Sequence, residues 1–245
     1  TTLIEKLNTL EKSSVNDWYL YDENYYLKEK ANVYNNEDYT FDDGEKIIND
    51  NEYWFKCEPI TWQVLKNKGN EYELLSLKLL DTCVFFDNFD NRTIDDQIVY
   101  ANNYEYSNIR NWLNNDFYNT SFALNNKNVL ETFINNDANT TDNINNEYIC
   151  NNTKDKVYLL SYQDYLNASY GFETNNDNTS TTRTCITTDY ARAKGAFYNK
   201  NTSLKYNGTY WTRSPSSKFY YSAYNINSGG YLSNYAIDGN SHCIR

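Results

Sequence analysis

A β-hairpin pattern early in the chain places the strongest constraint on what this sequence can fold into. Residues 53–65 are aromatic and β-branched, a polar turn occupies residues 67–70, and residues 72–80 form a second apolar run. Two such runs separated by a short turn that contains glycine are typical of paired antiparallel strands. Pro59 has no N–H to donate to a neighbouring strand, so we expect the first strand to be broken or bulged there. The pattern predicts a hairpin over residues 53–80.

Helical spacing follows the hairpin. Ser107 is a favourable N-cap, and apolar side chains recur behind it at i, i+3, i+4 and i+8, namely Ile109, Trp112, Leu113 and Phe117. This spacing predicts a helix over residues 107–118, and we predict a second helix over residues 126–134. Two main helices in a chain of short antiparallel strands and long loops indicate the α+β class.

The second half of the chain adds further local signals. Residues 157–160 have the composition of a short buried strand, and Ser161 with Asp164 has the spacing that opens a helical turn, which Gly171 closes. We expect Arg213 to be held by hydrogen bonds at the edge of a core that these elements share. The expected core comprises Trp62, Ile109, Trp112, Leu113, Leu159, Leu160 and Trp211.

A change of residue composition near residue 50 predicts the domain organisation. Residues 1–50 are polar and weakly patterned, apart from a short helix expected within residues 2–10, and we interpret them as an N-terminal segment or arm. Residues 51–245 are long enough to bury one sizeable core, so we predict a single domain there.

Charge and hydropathy exclude two classes of partner. The chain carries 33 acidic and 22 basic residues, a net charge of −11, which opposes the cationic footprint that nucleic-acid binding requires. No stretch approaches 18 uninterrupted apolar residues, so no membrane span is expected.

The residue types needed for catalysis or metal binding are sparse. The one histidine, His242, has no neighbouring nucleophile in the sequence, and the nucleotide-binding, zinc-protease and serine-hydrolase motifs are missing. Five widely spaced cysteines without a C-x-x-C pair favour reduced side chains over disulfides or a zinc site. The acidic loop at residues 87–96 has oxygen ligands suited to calcium but lacks the EF-hand glycine and glutamate, so we interpret it as a solvated loop. We therefore predict no catalytic residues, no metal, no cofactor and no enzymatic activity.

Six blocks of sequence, in order, carry a resemblance to a known family. They are the run YWFKCEPITWQVL at residues 53–65, LLD at 79–81 with SNIRNWLN at 107–114, DKVYLLS at 155–161, TDYA at 188–191, WTRSP at 211–215 and CIR at 243–245. Together they resemble an uncharacterised bacterial and phage domain family with the C-type-lectin-like fold, in the subgroup shared with the formylglycine-generating enzyme. Thr212 stands where the family has an aliphatic residue, Cys243 stands where it has glycine, and the usual final Pro-Ala is missing.

The resemblance implies a binding role. The subgroup includes variable proteins of diversity-generating retroelements, which present a hypervariable patch on their last strands and loops. The resemblance also implies that the protein is located on a phage virion or a bacterial cell surface. Two alternatives stay open: a non-diversified structural or adhesive module of a larger surface protein, and, more remotely, a formylglycine-generating-type oxidase, which would need a cysteine pair for copper.

The composition of the C-terminal segment supports the interpretation as a variable, target-binding protein. Ser, Tyr, Asn and Gly make up 18 of the 27 residues at 216–242 but 73 of the other 218, so a genome-wide bias does not account for the segment. Antibody binding loops use the same mixture of large rigid tyrosines and small adaptable polar residues.

We therefore predict a ligand-binding variable patch within residues 216–242 that recognises a protein or glycan target. Mutation of the adenines in an Asn codon yields Tyr, Ser, Asp, His, Phe, Gly or Asn. The predicted patch consists of positions in the segment that carry residues of this set. These are Phe219, Tyr220, Tyr221, Tyr224, Asn225, Asn227, Ser228, Tyr231, Ser233, Asn234, Tyr235, Asp238, Asn240, Ser241 and His242.

Overall fold

A computed structural model describes residues 2–13, 16–123, 128–142, 147–176 and 178–245. Its strands, in chain order β1 to β12, are Tyr19–Tyr21, Asn24–Lys30, Glu52–Lys56, Trp62–Asn67, Tyr72–Ser76, Arg92–Ile94, Gln97–Val99, Thr132–Ile134, Thr153–Asp155, Tyr210–Pro215, Ser222–Ile226 and Leu232–Ala236. Its α-helices, α1 to α4, are Leu3–Leu7, Asn108–Trp112, Tyr118–Ser121 and Asp189–Ala193. Every pairing between these strands is antiparallel, so the chain is a mixed α and β structure of mostly short antiparallel strands, as predicted.

Strands β1, β2 and β3 form a three-stranded sheet that packs on an apolar cluster. β2 lies between β1 and β3, with Leu27 opposite Phe55 and Lys30 opposite Glu52. The loop between β2 and β3 buries Tyr39 and Ile47 against Tyr198, which comes from the second half of the chain. The predicted division at residue 50 thus falls inside this sheet, between β2 and β3.

The predicted hairpin is present but shorter than expected. β4 pairs with β5, Trp62 lies opposite Ser76, and the pairing is irregular between Val64 and Lys66. The preceding strand β3 belongs to the N-terminal sheet, because Pro59 and its neighbours interrupt the backbone between β3 and β4. The prediction of one hairpin over residues 53–80 is therefore wrong at its N-terminal end.

The helix predicted at residues 107–118 is confirmed. The Ser107 hydroxyl accepts a hydrogen bond from the Arg110 N–H at 3.2 Å and caps α2. A π-helical turn, Leu113–Phe117, continues α2 directly into α3. Ile109 and Leu113 are buried against the core, as the spacing predicts.

The second predicted helix, at residues 126–134, is wrong where the structure describes it. Residues 126 and 127 lie outside the described residues, and residues 132–134 form β8, which pairs with β9. The apolar residues at 130, 133 and 134 do not share a buried face: Leu130 and Phe133 are exposed and Ile134 is buried, the alternation of a strand.

The last third of the chain forms the sheet β10-β11-β12, and the C-terminus returns to the middle of the chain. Leu80 N–H donates to Ile244 O, Ile244 N–H donates to Asp81 O, and Cys243 bridges Thr82 and Tyr210. The core clusters on either side of this sheet contain Leu160 and Trp211 respectively.

Most of the predicted core is confirmed. Ile109, Leu113, Leu159, Leu160 and Trp211 are buried, whereas Trp62 and Trp112 are half-buried. Arg213 is buried and donates to Asp164 Oδ2 at 2.8 Å, to Asn136 Oδ1 at 3.1 Å and to Leu159 O at 2.9 Å, which confirms its expected role. In the predicted strand at residues 157–160, Leu159 and Leu160 are buried, but the segment does not form a strand. Ser161 and Asp164 exchange two hydrogen bonds, and Gly171 ends the following turn at a φ of 87°, as predicted. None of the described helices is long and apolar enough to span a bilayer.

Candidate functional site

The fifteen residues of the predicted patch divide into three groups in the structure. Eight are exposed: Phe219, Tyr220, Tyr221, Tyr231, Asn234, Tyr235, Asp238 and Asn240. Two are half-buried, Asn227 and Ser233, and five are buried, Tyr224, Asn225, Ser228, Ser241 and His242. The predicted patch is therefore not a continuous surface, since Tyr224, Asn225, Ser228, Ser241 and His242 are buried.

Tyr224 is buried because β11 is the central strand of its sheet. All five residues of β11 are buried, since core side chains cover both of its faces. The Tyr224 ring packs on Tyr162 with 4.6 Å between ring centroids, and its hydroxyl lies 3.1 Å from Ser217 Oγ and 3.0 Å from Asp142 Oδ2. Burial raises the pKa of Tyr224 to about 12. Tyr224 is thus a hydrogen-bonded core residue.

His242 is the centre of a buried polar network. Its desolvation lowers its pKa to about 3, so the ring is neutral and Nε2 accepts a hydrogen bond from Asn225 Nδ2 at 2.8 Å. The Asn225 Oδ1 accepts from Ser233 Oγ at 2.7 Å. Nδ1 of His242 has no hydrogen-bond partner. This network lies beneath Tyr235, whose ring centroid is 4.6 Å from that of His242.

Two further patch residues support the turn between β11 and β12. Asn227 Oδ1 accepts hydrogen bonds from the N–H groups of Gly229 and Tyr231, and Asn199 Nδ2 donates to Ser228 Oγ. Side-chain amides that bond to the backbone two residues on are typical of turns. Asn227 and Ser228 therefore shape the backbone that carries Tyr231.

The exposed aromatic residues at 219–221 stand on a backbone that buried groups hold in place. Asn102, which is fully buried, donates from Nδ2 to Phe219 O at 3.1 Å and to Ser222 O at 3.0 Å. Its backbone N–H donates to Tyr220 O at 2.9 Å, and the Ile237 N–H donates to Tyr221 O. The loop between β10 and β11 thus presents its side chains outward from a constrained main chain.

Aromatic residues from three other segments extend this surface. The Tyr221 ring lies 6.0 Å from Phe89 and 5.3 Å from Phe219, while the Tyr220 ring lies 6.4 Å from Tyr100. Tyr100 in turn contacts Tyr148 at 4.9 Å. We refer to these six residues as the aromatic face: Phe89, Tyr100, Tyr148, Phe219, Tyr220 and Tyr221.

Sequence reasoning missed Phe89, Tyr100 and Tyr148, as well as the supporting Asn102. Tyrosine and asparagine are so common in this chain that single copies outside the C-terminal segment give no signal. Only the tertiary packing of these segments against the 219–221 loop brings them together.

The Tyr100 hydroxyl lies 2.6 Å from Glu147 Oε1, and this hydrogen bond is the main cause of the raised pKa of Tyr100.

A second exposed group lies on β12, the outer strand of the sheet. Asn234 and Tyr235 are exposed on this strand and Tyr231 is exposed immediately before it, while Leu232 packs in the core. β12 is an edge strand: among the strands of the described residues it pairs only with β11. The end of β12 meets the aromatic face through the hydrogen bond between Ile237 and Tyr221.

The cysteines carry no activated thiol in the described structure. All five are free, and burial raises the pKa of Cys57 to about 11 and that of Cys83 to about 12. A thiol is a nucleophile or metal ligand only as the thiolate, which burial disfavours. Within the ranges that the structure describes, no group of three or more His, Cys, Asp or Glu residues has a metal-binding arrangement.

Comparison with known proteins yields one match. A family model described as a domain of unknown function, DUF6273, matches residues 70–245. No curated protein and no solved structure matches the chain. The matched range contains the hairpin strand β5, the helical segment from α2 to α3, the aromatic face and the C-terminal sheet.

Proposed function

Because this chain belongs to the DUF6273 family, whose description assigns no function, we propose from its own geometry that it is a target-binding protein and not an enzyme. The target is a protein or a glycan on a cell surface. The observation that carries the proposal is the aromatic face: at its centre, Phe219, Tyr220 and Tyr221 are exposed on a loop whose carbonyls accept hydrogen bonds from the buried Asn102. Interfaces take most of their energy from such aromatic anchors, and a constrained backbone lowers the entropy lost on binding.

We also propose the C-type-lectin-like fold and retroelement diversification for this chain. The short strands, the long loops and the return of the C-terminus to residues 80–82 support the fold. The burial pattern restricts which positions can vary without loss of stability. The exposed positions suit exchange, whereas Tyr224, Asn225 and His242 make core contacts that most substitutions would disrupt.

Labelled protein tests the binding function directly. Fluorescently labelled protein is incubated with a panel of bacterial strains, alongside a variant in which Tyr220, Tyr221 and Phe219 are replaced by Ser. We expect the native protein to label at least one strain and the variant to lose that labelling. Equal labelling by both proteins, or none by the native protein across the panel, contradicts the proposal.

A DNA comparison tests the diversification separately. We expect a near-repeat of the codons for residues 216–242 close to a reverse-transcriptase gene, with differences concentrated at adenines. A coding region without such a repeat indicates a non-diversified binding module.

A further inference from the structure

A large cleft on another part of the molecule belongs to neither the aromatic face nor β12. It has a volume of about 720 Å³ and lies between the N-terminal sheet, the helical segment α2–α3 and helix α4. This volume is in the range of sites for small organic ligands, which extends from about 300 to 1,000 Å³. The sequence patterns gave no indication of it, because its walls come from segments more than 100 residues apart.

Tryptophan is concentrated in this cleft. Three of the five tryptophans, Trp18, Trp54 and Trp112, line it, and each is half-buried, so part of every indole is accessible. Phe55 and Tyr190 add two more half-buried rings. Such rings provide broad, rigid apolar walls at low entropic cost.

The polar groups of the cleft are of both signs. The lining contains three ammonium groups, those of Lys56, Lys78 and Lys194, and five carboxylates, those of Asp42, Glu58, Asp81, Asp116 and Asp189. Two of the carboxylates, Asp42 and Asp189, are already paired with the buried Arg192, so the charges that remain are close to balanced. The Asp81 side chain is buried, and Lys194 Nζ lies 3.1 Å from its Oδ1. A ligand with a single charge meets repulsion from one of the two sets. A hydroxyl group both donates and accepts hydrogen bonds, and therefore pairs with carboxylates and ammonium groups alike.

Ammonium groups of the chain already lie over two of the aromatic walls. Lys28 Nζ is 5.5 Å from the Trp54 ring centroid, and Lys194 Nζ is 5.3 Å from that of Tyr190. An organic cation would compete with these lysines for the same ring faces. The cleft is thus better suited to an uncharged ligand than to a cationic one.

The two walls of the cleft are connected at one edge. Asn16 Nδ2 donates to Thr120 O at 3.3 Å, which joins the segment that carries Trp18 to helix α3. This contact spans 104 residues of sequence. It holds Trp18 close to the helical wall, where Thr120 and Ser121 line the cleft.

We propose that this cleft binds a neutral saccharide. The apolar faces of the sugar rings pack on the indoles of Trp18 and Trp112, over which no ammonium group of the described residues lies, and the sugar hydroxyls pair with the carboxylates and ammonium groups of the lining. The site is independent of the aromatic face, because the two share no residue.

The test is a calorimetric titration of the full chain with neutral hexasaccharides of glucose, mannose, galactose and N-acetylglucosamine. Tetramethylammonium chloride and inorganic phosphate serve as singly signed charged probes. We expect at least one hexasaccharide to bind with a dissociation constant below about 1 mM and neither ion to bind in that range. No binding by any hexasaccharide, or tighter binding by either ion, overturns the proposal.

Three variants locate the binding. Trp18→Leu, and independently Lys56→Ala on the exposed rim, should each raise the dissociation constant of the bound hexasaccharide about tenfold or more. Trp62→Leu is the matched control, because Trp62 stacks on Phe122 outside the cleft lining and should leave the constant unchanged. Circular dichroism establishes that each variant is folded. A constant that neither Trp18→Leu nor Lys56→Ala alters places the sugar elsewhere and overturns the proposal.

Discussion

The imidazole of His242 stacks on the indole of Trp211, with 4.3 Å between ring centroids and 22° between ring planes. Trp211 is 1% exposed and His242 3% exposed, so this pair connects the core to the underside of Tyr235. The only histidine of the chain is therefore a packing residue.

Buried His242 predicts a pH dependence of stability. Its folded pKa is about 3, below the value of about 6.5 in the unfolded chain, so the unfolded state binds more protons between these two values. The contribution of His242 is thus complete above pH 6.5 and declines as the pH falls towards 3. By pH 4.5 we expect the loss to be about 2–3 kcal/mol of the free energy of unfolding.

The variant His242→Gln isolates this effect from carboxylate titration. Urea unfolding of both proteins at pH 7 and pH 4.5 should show a smaller decrease in the variant by that amount. Equal decreases in both proteins indicate a solvated histidine.

Exposed and buried tyrosines of the C-terminal sheet should respond in opposite ways. Tyr221, Tyr231 and Tyr235 are 37–49% exposed, and replacing them together by Ser should lower the melting temperature by less than about 10 °C, because surface substitutions are usually within 0.5 kcal/mol each. Tyr224→Ser is the matched buried control, since Tyr224 is 7% exposed, and should cost about 3–5 kcal/mol. Similar losses for the two variants would show that the exposed tyrosines are core residues.

The side chain of Asn102 should stabilise the backbone that carries Phe219, Tyr220 and Tyr221. Asn102→Ala leaves Phe219 O and Ser222 O without their donor, at a cost of about 1–3 kcal/mol. Asn102→Asp is nearly the same size but directs acceptor oxygens at two carbonyls, so we expect a larger loss than for alanine. Chemical denaturation ranks the two variants, and the reverse order would refute the assigned hydrogen bonds.

The Arg213 network should be essential for stability. Arg213→Gln removes a buried cation from Asp164, Asn136 and Leu159, and we expect it to cost about 3–5 kcal/mol. Lys30→Gln breaks the solvent-exposed ion pair with Asp50 and serves as the control, with no measurable change expected. Thermal unfolding of the two variants measures the difference.

Gly230 should tolerate no side chain. Its φ is +79°, and a Cβ there would lie 1.9 Å from Ser180 O. Gly69 also has a positive φ but open space around it, so Gly69→Ala should cost about 1 kcal/mol. Gly230→Ala should cost clearly more, because the Ser180 backbone must shift. Equal melting temperatures for the two variants would contradict the close approach.

Local pattern was sufficient wherever one segment determines its own structure. The helix from Ser107 follows from a cap and the spacing of Ile109, Leu113 and Phe117, and the turn at Ser161 follows from its exchange of hydrogen bonds with Asp164. The class of short antiparallel strands and the burial of Arg213 were also predictable. These features depend on residues a few positions apart, or on a charged side chain whose burial requires partners.

Long-range packing decided the rest. An alternating polar strand predicts one solvated face, but β11 has the core on both sides, which buries Tyr224, Asn225 and the neighbouring His242. Residues 132–134 form a strand because β9 supplies the partner. The aromatic face and the tryptophan cleft combine segments that are distant in the sequence. No local pattern determines which surfaces meet, because burial depends on the elements that pack from elsewhere in the chain.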